Sequence, residues 1–328
     1  MATGVVKSNI VSYLGELFQS ARRPNTLLRL LGGFQGSIIE TTAKEFPTGV
    51  FFDLRAPAQP AILEGANAPA AQHRTMSQAT NVVQIFHESV DVTYLAKSDK
   101  SMGGVVPIPM GEAQGSPQNP RDEAFQVMAA LATIAQDANY SFLRGVYANP
   151  ADPTGTALRT RGILTAITTN IVDKSAEAAP SAATYRSWIE LLVQTAVASN
   201  GYNPDGTWTL MADTTEYNNV QAAYEALPSH RQPESRSVGG LQLRQLYTRF
   251  GILNLVLEPD MPADQVALVN LGVAGVVGLP VPGKGLVFEE PLQKVGSSDK
   301  TQIYGQLGIA HGPEYAHAKL LVPAASSL

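Results

Sequence analysis

The sequence predicts an α+β fold, and three observations carry that expectation. The first is one long amphipathic helix over residues 120–147. The second is a period-2 apolar run over residues 82–94, the mark of a strand with two unlike faces. The third is the quick succession of strand, cap and helix in "TWTLMADTTEYNNV", where Asp213 and Glu216 stand three apart as in a capping box.

In chain order, residues 1–47 read as an N-terminal arm with one or two short helices, punctuated by Pro24 and Gly32-Gly33. Leu27, Leu28, Leu30 and Leu31 are too many apolar groups for a free tail, so this arm needs a surface to lie on. Residues 48–98 read as one extended hairpin: "TGVFFDLRA" runs out, "NVVQIFHESVDVTYLA" runs back, and "EGANAPAAQHRTMSQAT" joins them. In the return run Val82, Phe86, Val90, Val92 and Tyr94 alternate with Ser89, Asp91 and Thr93. The joining stretch has no helical face, and a lone two-stranded hairpin is marginal in water, so the whole segment requires a partner surface.

A Gly/Pro-rich connector, "MGGVVPIPMGEAQGSPQNP", leads into the long helix. Asn119 can cap it, Pro120 suits its first turn, and Asp122 and Glu123 complement the positive end of its dipole. Ala124, Met128, Leu131, Ala135, Ala138 and Phe142 then form one apolar stripe. A second helix over 182–200 places Tyr185, Trp188 and Leu192 on one face and stops at Asn200-Gly201. A buried strand and a helix over 214–227 follow. Further strands read from "RFGILNLVLEPDMP", "QVALVNLGVAGVVGLPV" and "KGLVFEEP", and two closing strands flank Gly312-Pro313.

Composition narrows the function. Only 16% of the 328 residues are charged, against roughly a quarter in ordinary globular chains, while 44% are hydrophobic. A surface so poor in charge is expected to be buried against other copies. The net charge of −5 excludes a sequence-independent electrostatic grip on nucleic-acid phosphates. Cysteine is absent, which excludes disulfides, zinc-thiolate sites, iron–sulfur clusters and thiol nucleophiles. No basic start is followed by an apolar core, and nowhere do about 18 apolar residues run together, so a cytoplasmic product without a membrane partner is expected.

Catalytic and metal-binding patterns fail on geometry. His311, Glu314 and His317 are interrupted by Pro313, and on a strand the two histidines would stand about 20 Å apart, so they read as surface or interface groups. His87 and Glu88 are neighbours on a strand and point to opposite faces, which suits an inter-subunit contact better than acid–base work. Gly272, Gly275 and Gly278 lack the spacing of a dinucleotide fingerprint, and neither Gly-x-Ser-x-Gly nor His-Glu-x-x-His occurs. No catalytic, cofactor-binding or metal residue is expected, and no cofactor. The basic pairs Arg22-Arg23 and Arg159 with Arg161 are either scattered solvated charges or contacts of an inner surface with DNA.

The ordered set of arm, hairpin, connector, long helix ending in "FLRGVYANPADPTGTALRTRGIL", α+β unit and closing strands resembles the major capsid proteins of tailed bacteriophages with the Hong Kong 97-type fold. The resemblance covers nearly the whole chain. It implies an arm at 1–47, an extended loop at 48–98, a peripheral domain at 99–175 built on the spine helix, an axial domain at 176–293, and closing strands of the peripheral domain at 294–328. It also implies inter-subunit contacts at Phe51, Phe52, Arg55, Glu64, His73, Arg74, Phe86, His87 and Glu88, with charge pairs between neighbours through Arg55, Glu64, Arg74 and Glu88.

The function so implied is structural, not enzymatic: self-assembly through hexamers and pentamers into an icosahedral head enclosing double-stranded DNA. Scaffolding, portal and decoration proteins are the implied partners, and the implied location is the virion, assembled in the host cytoplasm. The sequence departs from one family pattern, the lysine-to-asparagine isopeptide crosslink. No lysine lies between Phe51 and Ala96, and Lys97 and Lys100 stand at the loop's base, so no crosslink is expected. Two other readings stay open: an encapsulin-like cellular compartment of the same fold, and an oligomeric α+β enzyme.

Overall fold

A computed structural model describes residues 25–33, 38–52, 59, 61–68, 73, 76–98, 123–199, 208–225, 235–238, 241–294 and 296–323. The Gly/Pro connector, the capping Asn119, Pro120, the Asn200-Gly201 stop, and Arg22, Arg23, Arg55 and Arg74 lie outside them.

Two sheets and a separate hairpin organise the chain. In the first sheet β13 (Ser298–Ala310) is central. One side of it carries β4 (Gln84–Thr93), antiparallel over ten register pairs from Ser298↔Thr93 to Leu307↔Gln84. The other side carries β12 (Val287–Pro291) and β11 (Gly275–Gly278), with β1 (Ile39–Glu40) parallel on β11. The second sheet has seven strands in the order β5 (Ile171–Asp173), β14 (Ala318–Leu321), β10 (Gln265–Asn270), β6 (Trp208–Ala212), β9 (Gly251–Leu257), β8 (Leu241–Thr248), β7 (Ser235–Val238). The hairpin pairs β2 (Glu45–Phe52) with β3 (Met76–Val82).

The strand pairing cuts across three of the divisions drawn from the sequence. The return run "NVVQIFHESVDVTYLA" is two strands, not one. It breaks at Val83, so the hairpin ends at Val82 and β4 belongs to the first sheet. Tyr94 does not extend the alternation but opens a short helix, α2 (Tyr94–Ser98), and is exposed. The stretch 176–293 and the closing strands are each divided: β11 and β12 join the first sheet, whereas β14 joins the second. Alternation identifies a strand's two faces but carries no information about which distant strand it pairs with.

The second sheet is covered on both faces, which explains why its central strands read as unbroken apolar runs. Leu210, Ala212, Val266 and Leu268 face α5 (Ala182–Ala198) and α6 (Thr214–Glu225), packing with Tyr185, Trp188, Ile189 and Leu192. Met211, Ala267 and Val269, one residue out of phase, face the opposite way and join a cluster with Ile134, Phe142, Ile303 and Leu307. Ser181 caps α5 by accepting from the Thr184 N–H. Each fully buried Leu, Ile or Val contributes about 1.5–3 kcal/mol over its exposed state.

The spine helix α3 (Glu123–Arg144), about 33 Å long at 1.5 Å per residue, lies in that second cluster with the short helix α4 (Ile163–Ala166). Its buried face is Val127, Ile134, Ala138, Phe142 and Leu143, with Ala130 and Ala135 partly buried beside them. The expected stripe is thus half right. Ala138 and Phe142 are buried, but Met128 and Leu131 turn outward, 54% and 38% exposed. The helix is apolar over more than one arc, and the β4 contact selects which arc faces in: Phe86 meets Phe142 edge to face at 6.3 Å.

The leucines of the arm do find a surface. Helix α1 (Thr26–Leu30) buries Leu27 and Leu28 in the spine cluster. Its start is held by polar groups of two elements: the Leu27 N–H donates to Glu258 Oε2 at 2.8 Å and the Leu28 N–H to Asn139 Oδ1 at 3.0 Å.

Candidate functional site

No group of three or more His, Cys, Asp or Glu among the described residues could hold a metal ion. The features with functional promise are instead the hairpin, its attachment to the body, and the surface beside β4.

The attachment is built from both hairpin strands. In β2 the pairing slips between Pro47 and Gly49, so Thr48 is a bulged residue. It is buried, and its hydroxyl lies 3.4 Å from His311 Nε2. Gly49 then runs so close to the body that a Cβ there would stand 2.8 Å from the Pro313 nitrogen. Phe46 packs below with Val83 and Val277. On the other strand, the buried Asn81 side chain donates to the Ile309 carbonyl at 2.8 Å and the Arg161 carbonyl at 3.0 Å. In the segment between the hairpin strands Ile62 is 67% and Leu63 84% exposed, and Glu64 and His73 are exposed beside them.

A groove runs between β4 and the spine helix, lined by Gln84 to Glu88 on one wall and by Ile134, Asp137, Tyr140 and Ser141 on the other. Ile85 and Tyr140 are half exposed in it, and burial raises the Asp137 carboxyl above its ordinary range. Among the described residues β4 has a strand partner, β13, on one edge alone.

Several sequence-predicted residues sit elsewhere than expected. Phe86, expected at an inter-subunit contact, is 4% exposed and packs against Phe142 within its own chain. A β4 side chain facing the spine helix is buried by that helix before any neighbour arrives. His87 does point outward, with Nε2 3.1 Å from Gln302 Oε1 and its ring 6.0 Å from that of Tyr304. Glu88 is half buried in the groove wall. Phe51 and Phe52 end β2.

Arg159 is exposed and its backbone bridges Ala148, whereas Arg161 is half buried with its guanidinium 4.4 Å over the Tyr147 ring. Lys97 is held by carboxylates, 2.6 Å from Glu123 and 2.7 Å from Asp299, and these bonds raise its pKa and lower that of Glu123, while Asp299 is held low first by Lys294 and then by Lys97.

The histidines expected at the surface are buried: His311 is 2% and His317 0% exposed. His317 Nδ1 accepts the Asn270 N–H at 3.2 Å and its Nε2 donates to the His311 carbonyl. Burial pushes both imidazoles down to about 4. For Glu314 burial acts upward, but the hydroxyls and amides of Thr168 and Thr169 bind the carboxylate and hold it below its usual range. Asn81, Thr48 and Gly49 were missed by sequence reasoning, because a polar residue near the end of β3 and a bulge inside β2 carry no periodic signal.

The arrangement of spine helix, two sheets and separate hairpin is similar to that of the Hong Kong 97-type capsid proteins. The structure is similar to the capsid of cyanophage A-1(L) with a TM-score of 0.61 and 12% identity, covering 92% of this chain and 93% of that one. It is similar to the capsid of a native GTA particle with a TM-score of 0.60 and 12% identity over 92% of each chain. The SrpI encapsulin of Synechococcus elongatus gives a TM-score of 0.58 and 12% identity, over 94% of this chain and 91% of that one.

No curated protein matches the sequence. Residues 1–323 match the SU10 major capsid protein family, and the chain belongs to that family. It is a structural bacteriophage capsid protein of the virion, not an enzyme.

Proposed function

We propose that the subunit assembles through hexamers and pentamers into an icosahedral head enclosing double-stranded DNA, and that its hairpin is the device by which neighbours are joined. The observation that carries this reading is the contrast along the hairpin. Its base is tied down by Thr48, Gly49 and Asn81, while its tip presents Ile62 and Leu63 to solvent. Two apolar side chains on an exposed segment belong against another surface.

The groove between β4 and the spine helix of a second copy supplies one, with Ile85 and Tyr140 half exposed and a strand edge beside them. Glu64 and His73 flank the same contact, and Arg55 and Arg74 complete its charge pairs with Glu64 and Glu88. The net charge of −5 fits a container that releases its DNA. Arg22, Arg23, Arg159 and Arg161 are assigned to the inner surface. The reading includes assembly in the host cytoplasm with scaffolding, portal and decoration partners.

The test is electron microscopy of the purified protein with light scattering on the same sample, followed by assay of nucleic acid in particles from infected cells. Closed shells containing DNA are expected; a uniform small oligomer that never assembles would overturn the proposal. A second reading, a cellular compartment, draws on the likeness to the SrpI encapsulin. Particles that hold an enzyme and no DNA would establish it instead.

A further inference from the structure

We propose that His311 and His317 form an acid-sensitive latch holding the base of the hairpin on the body, and that protonating them frees the hairpin while both sheets stay folded. The argument starts from which groups the two imidazoles touch. His311 meets the hairpin directly, through Thr48 Oγ1, and the next two residues of its turn are what Gly49 packs against. His317 sits behind that turn and holds it to β10: it donates to the His311 carbonyl on one side and accepts from Asn270 on the other. The chain of contacts thus runs from Thr48 to His311 to His317 to Asn270.

The His317 link of this chain requires a neutral imidazole. His317 has both ring nitrogens committed, one as donor and one as acceptor. A second proton can go only on Nδ1, where it faces the Asn270 N–H and abolishes that bond. The new cation would also be fully buried. The charged groups acting on the pair offer it little. Arg161 opposes a cation on His311, and His311 disfavours one on His317. Glu314 favours one, but its carboxylate is already held by four donors from Thr168 and Thr169. The depressed pKa values agree with this geometry, and burial is their main cause.

The hairpin is where release should appear first. Of its own residues, the contacts at stake are Thr48 and Gly49, whereas in the second sheet His317 meets the last residue of β10, Asn270. The latch is a property of the single chain, so its test is independent of how the shell is built.

The measurement is hydrogen exchange of the full chain between pH 7 and pH 4, corrected for intrinsic exchange, comparing amides of β2 and β3 with those of β6 and β9. Protection in the hairpin is expected to fall at least tenfold relative to the sheet strands before the latter change. In His317→Gln and His311→Gln this selective fall is expected to disappear. Hairpin and sheet losing protection together in the natural chain would overturn the proposal, whether or not the variants fold. An undiminished selective fall in both variants would overturn it equally, since other carboxylates titrate in the same range.

Discussion

Asn81 and Arg161 exchange a reciprocal pair of hydrogen bonds. The Asn81 side-chain amide donates to the Arg161 carbonyl at 3.0 Å, and the Arg161 N–H donates back to Asn81 Oδ1 at 2.7 Å. The same side chain gives its other hydrogen to the Ile309 carbonyl and accepts from the Val82 N–H. One buried amide therefore ties the returning hairpin strand, the loop after the spine helix and the central strand of the first sheet.

Replacing Asn81 by Ala leaves those buried backbone groups unpaired, and the expected loss is about 2–4 kcal/mol of unfolding free energy. Asn81→Asp should not restore it, because a carboxylate cannot donate to the two carbonyls. Urea titration of both variants checks this, and an Asp variant as stable as the natural chain would refute the donor role.

Gly308 lies under the foot of the hairpin. A Cβ there would stand 2.9 Å from Phe46 Cε1 and 3.0 Å from the Val82 carbonyl oxygen. Gly308→Ala should cost about 1–3 kcal/mol through overpacking. Adding Phe46→Leu should recover part of that loss, a coupling that a double-mutant cycle reads directly.

Glu258 supplies a pH dependence opposite in sign to that of the histidines. Burial raises its carboxyl to about 7, with Asp260 adding and hydrogen bonds from Leu27, Asp260 and Asn139 opposing. A raised folded pKa means that its stabilising contribution is complete below the ordinary value of 4.5 and is lost as pH rises through about 7. From pH 5 to 8 the natural chain should lose on the order of 3 kcal/mol that Glu258→Gln does not. Urea midpoints of both across that range decide it; parallel slopes would remove Glu258 from the account.

The exposed Ile62 and Leu63 make assembly separable from folding. The double change Ile62→Asp, Leu63→Asp should alter subunit stability by no more than about 0.5 kcal/mol, as for ordinary surface positions. Shell yield by light scattering should fall severalfold. Glu64→Lys and Arg74→Glu should lower the salt resistance of shells more modestly, since an exposed pair is worth under about 1 kcal/mol. Unchanged yield in all of these variants would move the contact away from the hairpin tip.

The absence of lysine between Phe51 and Ala96, with Lys97 engaged by Glu123 and Asp299, leads to an expectation about covalent chemistry. Shells boiled in detergent should yield one species at the mass of the single subunit. A ladder of covalent oligomers would contradict it.

Local physics explains which elements could be read from the residues. The spacing of Tyr185, Trp188 and Leu192 and the unbroken run "TWTLMA" each state their element through contacts within a few residues, and each element is present. The burial of Leu27 and Leu28 likewise followed from their number alone. The hairpin announced itself by a stretch with nothing to pack against.

What escaped is everything set by partners far along the chain. Phe86 looked like a contact for a neighbour until Phe142 was seen to cover it. Met128 and Leu131 looked like core until Val127 and Ile134 took that face. His311 and His317 looked like surface groups until Thr48, from more than 200 residues upstream, was found beside one of them. Periodicity within a helix or strand reports that an apolar face exists, because that face is made of residues adjacent on the element. Which face is covered, and by what, depends on contacts between distant segments, and those are settled only when both sheets, the spine helix and the hairpin base close together.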